Sequence, residues 1–356
     1  MPRFVRILVR AVLALVVLAL LVAGGGYWWW RSRSKVEAIP AKLPELNDTA
    51  RIAAIKVPGS DGLPDLVVGG ERGHIAYFLL ESKESMQARE GRTLSLALNR
   101  WSYPENVRGY SIGEVAGMGL LKFKIDEIVK HMRADTRLPL YMDYEGAILR
   151  GFGLPKGHTG LVVLGADGGL LLRHSGAMSD AELDALRTTL GASEPPPPAA
   201  APAFALGDLD GAKTCGSAGK RACAIVFLGH AVTSRKEIPF VKGGEHDEQK
   251  GATAFEDPTL RLMMLLVDED LAQGGSRGVF VGRLGADVTL APGWSVVPDD
   301  AADASKTRAA FGVAPGEAAI VVVDAEGRLA IVEKGRVALW KLEPLRVLLK
   351  LKEDAS

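Results

Sequence analysis

The chain has 356 residues, of which 47% are hydrophobic and 24% charged. That balance is ordinary for globular proteins, and the length suffices for about two domains. Lysine plus arginine and aspartate plus glutamate are equal at 43 each, so the basic excess of a nucleic-acid binder is missing. Two cysteines, Cys215 and Cys223, are too few for a disulfide scaffold or a four-cysteine metal site.

Arg3, Arg6 and Arg10 precede an apolar run from Ala11 to Ala23, followed by Gly24-Gly25-Gly26 and Tyr27-Trp28-Trp29-Trp30. Ala11 to Trp30 gives 20 residues without a charge, or roughly 30 Å of helix, the thickness of a bilayer core. The aromatic block stands where an interfacial belt belongs, since indole has an apolar body and one polar N–H. Residues 1–36 therefore read as a single transmembrane anchor. The competing reading is a cleaved signal peptide with Val22-Ala23-Gly24 as the cleavage site. Basic residues flank both ends, with Arg31, Arg33 and Lys35 on the far side, so the positive-inside rule does not decide orientation. A short N-terminal tail before one helix usually stays inside, which places the body in the periplasmic or extracytoplasmic space.

Residues 37–190 form a first domain with an N-terminal lead-in. Leu63-Pro64-Asp65-Leu66 leads to a strand over Ile75–Leu80. A polar helix is expected from about Glu84 to Arg100, and a strand from Arg108 to Val115. A helix over Leu121–Arg133 carries Phe123, Ile125, Ile128 and Val129, and a strand over Leu138–Asp143 follows. Leu161-Val162-Val163-Leu164 has the continuous apolar character of a buried strand. Ala166-Asp167-Gly168-Gly169 turns it back into Leu170-Leu171-Leu172. Ser179 with Glu182 three residues on makes a capping box for a helix with Leu183, Leu186 and Leu190 on one face.

Residues 191–202 are a Pro/Ala-rich linker. Consecutive prolines at 195–198 favour an extended spacer unable to join a sheet or helix. The second domain, 203–356, repeats the first at an offset of 159 residues. Phe152-Gly153 falls on Phe311-Gly312, Gly157 on Gly316, Val162-Val163 on Val321-Val322, Gly168 on Gly327 and Gly176 on Gly335. Strands are expected at Ala224–Leu228, Gly278–Leu284, Ile320–Val323 and Leu329–Val332. Helices are expected at Pro258–Ala272, within Asp300–Ala310, and from Ala338 to Leu351.

This α/β order, with a mixed central sheet flanked by helices, resembles the thioredoxin fold. The lead-in Pro202–Gly211 resembles that of thioredoxin-like and peroxiredoxin-like proteins. The first domain resembles the YtfJ type of periplasmic protein through Tyr141–Ala147, Gly160–Gly168 and Gly176–Ser179. The resemblance implies two tandem thioredoxin-like domains, which follow the one membrane helix read from residues 1–36; that family has no defined activity to lend. It also implies where a thiol site would be: a low-pKa thiolate at a helix N-terminus after the first central strand, usually in C-x-x-C. There the first domain reads Glu81-Ser82-Lys83-Glu84-Ser85-Met86, and the second Gly229-His230-Ala231-Val232-Thr233-Ser234. The family's cis-proline would fall near Thr159 and Ala318, and neither is proline.

Candidate chemistry is accordingly sparse. Cys215 and Cys223 are disulfide candidates closing a small loop; two packed thiols or a redox-active pair are the other readings. His230 stands near the place of an active thiol, with Glu81 and Glu84 at the corresponding place in the first domain. No two of the six histidines are spaced three or four apart, so a helical metal site has no support. His246 lies in a polar loop-like cluster. No phosphate-loop, H-E-x-x-H or G-x-S-x-G motif occurs, and no cofactor is implied. The expected function is a membrane-anchored, extracytoplasmic binding or scaffold protein with redox-degenerate domains and an envelope protein as partner. The alternative is a divergent thiol-disulfide oxidoreductase or peroxidase using Cys215 and Cys223.

Overall fold

A computed structural model describes residues 36–46, 52–88, 90–118, 122–133, 136–211, 214–215, 221–238, 257–266, 277–290, 292–338 and 340–341. The expected membrane helix lies outside them, as do His246 and most of the helix expected over Ala338–Leu351. Among the described residues no helix is long and apolar enough to cross a membrane. The chain divides into two compact units, Met1–Pro195 and Pro196–Ser356.

In the first unit a small hairpin, β1 (Lys56–Val57) and β2 (Leu66–Val67), precedes the main sheet. The sheet consists of β3 (Ile75–Ser82), β4 (Val107–Glu114), β5 (Leu140–Asp143), β6 (Gly160–Leu164) and β7 (Leu170–Ser175), in the order β5-β4-β3-β6-β7. β3, β4 and β5 run parallel, while β6 and β7 are antiparallel to their neighbours. The described α-helices are α1 (Lys83–Gln87), α2 (Arg92–Arg100), α3 (Lys122–Arg133), α4 (Ala147–Gly151) and α5 (Asp180–Thr189).

Side chains on β3 alternate between two cores, as the two-residue period of a strand requires. Ala76, Phe78 and Leu80 face one layer with Ile112, Ile148 and Val162. Tyr77 and Leu79 face the other, with Leu94, Leu98, Leu183 and Leu186 from α2 and α5. Burial on both faces is what made these strands read as unbroken apolar runs.

The second unit opens with hairpin β8 (Ala205–Leu206) and β9 (Leu209–Asp210). Its sheet contains β10 (Cys223–Phe227), β11 (Arg277–Val281), β12 (Trp294–Val297), β13 (Ala319–Val323) and β14 (Leu329–Lys334), ordered β12-β11-β10-β13-β14. The described helices are α6 (Pro258–Leu266) and α7 (Ala302–Ala310). Order and strand directions match those of the first sheet. The 159-residue offset carries β6 onto β13 and β7 onto β14 end for end, and an irregularity at Val163/Leu164 recurs at Val322/Val323. Gly168 (φ 82°) and Gly327 (φ 80°) make the intervening turns left-handed, a conformation glycine adopts without a Cβ penalty.

Several expectations need correction. The helix over Glu84–Arg100 is two helices, because the chain breaks around Gly91. A Cβ there would come within 2.5 Å of the Thr159 hydroxyl, so only glycine fits against that neighbour. Glu81 lies inside β3, which runs two residues further than expected. α4 and β12 were not foreseen, since each is short and lacks a clear period. The proline-rich linker also joins both sheets' surroundings at its ends. Ser193 bridges Ser102, with reciprocal backbone bonds of 2.9 Å. Ala200 bridges Arg328, with Leu329 N–H donating to Ala199 O at 2.7 Å and Ala201 N–H to Gly327 O at 3.0 Å. Proline lacks a donor, but the flanking serine and alanines keep theirs.

Candidate functional site

In the first unit β3, β4 and β5 end side by side, and the register pairs Ser82 with Glu114 and Glu114 with Asp143. All three residues are buried. The carboxyl ends of parallel strands are where ligands gather in open α/β sheets, so this is the pole at which function is sought.

Ser82 caps α1: its Oγ accepts the Ser85 N–H at 3.1 Å, and Ser85 Oγ accepts the Ser82 N–H at 2.9 Å. Ser85 Oγ also donates to the Ser82 carbonyl at 3.0 Å. Two hydroxyls thus occupy a helix start at the i, i+3 spacing that a C-x-x-C pair would have. The Ser82-Lys83-Glu84-Ser85 spacing carries this signal in the sequence.

Glu81 precedes the pair and Glu84 lies between its two serines. Burial pushes the Glu81 carboxyl above the usual carboxylate range. Burial also raises Glu114, against the Lys156 charge and an N–H from Ala116 that favour its ionised form; Glu84 and Asp143 add like-charge repulsion. Asp143 is committed to structure: its carboxylate accepts N–H groups of Glu145 at 3.2 Å and Ile148 at 2.9 Å. It thereby serves the start of α4, whose N-cap Gly146 has no side chain to cap with.

Beside this pole lies a second group that the sequence did not disclose. Glu90, between α1 and α2, accepts the Thr159 N–H at 2.9 Å through Oε2 and faces His158 Nδ1 at 2.8 Å through Oε1. His158 Nε2 faces the Glu37 carbonyl at 2.7 Å. Burial opposes the charged imidazole, but Glu90 and Glu37 outweigh it and raise its pKa above 6.5. Thr159 immediately precedes β6, where the resemblance places a cis-proline. It is buried; among the described residues its Oγ1 has no hydrogen-bond partner and no peptide is cis.

In the second unit His230 follows β10. Its Nε2 lies 2.8 Å from Asp257 Oδ2, and its Nδ1 lies 3.0 Å from the Ala231 carbonyl. Burial again opposes the charged ring; Ala231, Asp257 and Glu237 prevail and raise its pKa above 6.5. Asp257 is the N-terminal anchor of α6, with Oδ1 accepting the Leu260 N–H at 3.0 Å. Aspartate at the cap followed by proline at the first helical position is a favoured helix start. Gly229 N–H donates to Thr259 Oγ1 at 2.9 Å. The buried Arg308 fixes the β10 exit from the other side, donating to Leu228 O at 3.2 Å and to Asp299 Oδ1 at 2.7 Å. It lies 4.7 Å over the Phe227 ring.

Cys215 and Cys223 are joined, with sulfurs 2.10 Å and Cα atoms 5.7 Å apart. Both are fully buried in the core formed with Phe204, Leu206 and Leu209. Cys223 opens β10, whereas His230 lies beyond its other end. Roughly 13 Å of strand separates the disulfide from the pole that carries His230. Among the described residues no group of three His, Cys, Asp or Glu is placed to hold a metal ion.

Each unit is thus a mixed five-stranded sheet with a parallel half and an antiparallel hairpin. No protein-family model matches the chain, and no curated protein matches its sequence. Among solved structures it is similar to the pneumococcal exposed lipoprotein thioredoxin Etrx1 of Streptococcus pneumoniae, at 16% identity and a TM-score of 0.31, over 38% of this chain and 97% of that one. It is also similar to a thioredoxin-like protein from Aeropyrum pernix, at 13% identity and TM-score 0.30, over 39% and 91%. Xanthomonas campestris peroxiredoxin Q matches at 15% identity and TM-score 0.28, over 43% and 97%.

Proposed function

We propose that this chain is a binding or scaffold protein of the cell envelope, held by its N-terminal apolar segment and facing the extracytoplasmic side. In this reading it contains two copies of a thioredoxin-like module from which thiol chemistry has been withdrawn. The matching order and directions of the two sheets, and the 159-residue offset between their hairpins, support the duplication.

One observation carries the functional reading. The pole of each sheet where a thiol pair would act holds side chains engaged with local structure: Ser82 and Ser85 in a capping box, His230 on the α6 anchor Asp257. The cysteines are at the opposite end of β10, buried and joined. A thiolate nucleophile needs access and an electropositive setting, and this pair has no exposure to offer. The partner in this reading is another envelope protein, and the N-terminal segment supplies the membrane contact.

The rival reading, a divergent thiol-disulfide oxidoreductase or peroxidase, draws on the Thr214 hydroxyl, 3.7 Å from Cys215 Sγ, as a donor to a thiolate. Cysteine-to-serine variants assayed for insulin reduction and peroxide consumption separate the two. Binding without catalysis predicts background turnover in wild type and variants alike. Turnover that disappears with Cys215→Ser or Cys223→Ser would establish the enzyme.

A further inference from the structure

The lead-in Val36–Leu46 lies along the first unit, and its start is held in a different way from its end. Toward the end, Leu43 and Leu46 pack against the core. Arg173 Nη2 donates to Pro44 O at 2.6 Å. At the start the hold is polar. Glu37 N–H donates to Lys156 O at 3.0 Å, and Lys156 N–H returns to Glu37 Oε2 at 3.0 Å. His158 Nε2 reaches the Glu37 carbonyl at 2.7 Å. Val36 covers Gly157, where a Cβ would approach within 3.0 Å of its Cα, and Ile39 covers Gly176.

The His158 ring is therefore gripped by two acceptors. A backbone carbonyl can only accept, and the Glu90 carboxylate already accepts the Thr159 N–H through its other oxygen. Only the doubly protonated imidazolium donates from both nitrogens; a neutral ring must forfeit one contact.

We propose that His158 is a protonation latch that tightens residues 36–39 against the α1–α2 connection of the first unit and loosens them when the ring loses its proton, while the two Glu37–Lys156 hydrogen bonds remain. The charged groups facing the ring are Glu37 from the lead-in and Glu90 from that connection. Lys156, in the same loop, contributes its amide to the Glu37 carboxylate, and beside the Gly176 corner His174 faces Glu182 at 3.8 Å. The Glu37 and Glu90 carboxylates favour the protonated ring, so loosening occurs above the ordinary histidine value of 6.5. The core-packed Leu43 and Leu46 stay in place, confining the change to the first residues. This inference goes beyond the proposed function and does not rest on it.

The test uses the full chain in detergent micelles with a pH-insensitive fluorophore on Ala38→Cys, an exposed position outside the latch contacts. Dye anisotropy is read between pH 5 and 9. The expected result is high anisotropy at acidic pH and a single downward step above pH 6.5. Glu90→Gln should move the step to lower pH. His158→Ala should give the low value throughout, with an unchanged far-UV circular dichroism spectrum. A wild-type trace without a step would overturn the latch, as would a step that survives His158→Ala or ignores Glu90→Gln.

Discussion

His158, Glu81 and Glu114 share one thermodynamic sign although their charges differ. Each has a folded-state pKa above its ordinary value, so the folded chain binds the proton more tightly than the unfolded one. The contribution of His158 is fully present below 6.5 and is lost as pH rises through its folded value. Glu81 and Glu114 contribute fully below 4.5 and lose this as pH climbs through theirs. Asp126 and Glu182 act in the opposite sense. For Asp126, burial is outweighed by bonds from Lys122 and Tyr144; for Glu182, the Ser179 bonds dominate. Their stabilisation is present above 3.8 for Asp126 and above 4.5 for Glu182, and fades as pH falls through their lowered folded values. The expected outcome is that wild type and His158→Asn diverge most in unfolding midpoint at mildly acidic pH and converge as pH rises past the latch. Urea titrations at several pH values measure this difference; divergence that grows with pH would contradict the assignment.

At the scale of elements, the central strands and the α5 capping box were readable because apolar runs and Ser179-to-Glu182 spacing are local signals. The close packing at Gly91 was not readable, since the neighbour a Cβ there would meet, Thr159, is 68 residues away. β12 was hidden because Trp294–Val297 is a short edge strand with only partial burial. The candidate site was legible where a residue followed a strand, as with His230, and opaque where chain-distant partners define it, as with Glu90 and His158. The cysteine spacing left three readings open, and the fold places the pair as a staple from the β9 side to the start of β10. By the chain-entropy account, a closed loop this short constrains the unfolded chain by about 2–3 kcal/mol. Replacing both cysteines by serine should lower the stability of the second unit by about that much. Chemical denaturation checks it, and an unchanged midpoint would show that the bond contributes little.

The two sheets share one topology, and each carries hydrogen-bonded hydroxyl, carboxylate and imidazole groups near the carboxyl ends of its parallel strands. Length and composition gave two domains, and the 159-residue recurrence gave their similarity, because glycine turns and paired strands leave a regular trace. Binding specificity leaves no such trace, since it lives in side-chain placement and not in periodicity. The central claim is that Cys215 and Cys223 hold structure and take no part in exchange. Thiol trapping of the folded full chain tests it most directly. The protein is incubated with graded dithiothreitol, alkylated, and scored by mass for modified Cys215 and Cys223. The account predicts that the pair resists reduction until the second unit unfolds. Ready reduction and reoxidation in the folded protein, with the disulfide passed on to a substrate, would contradict it.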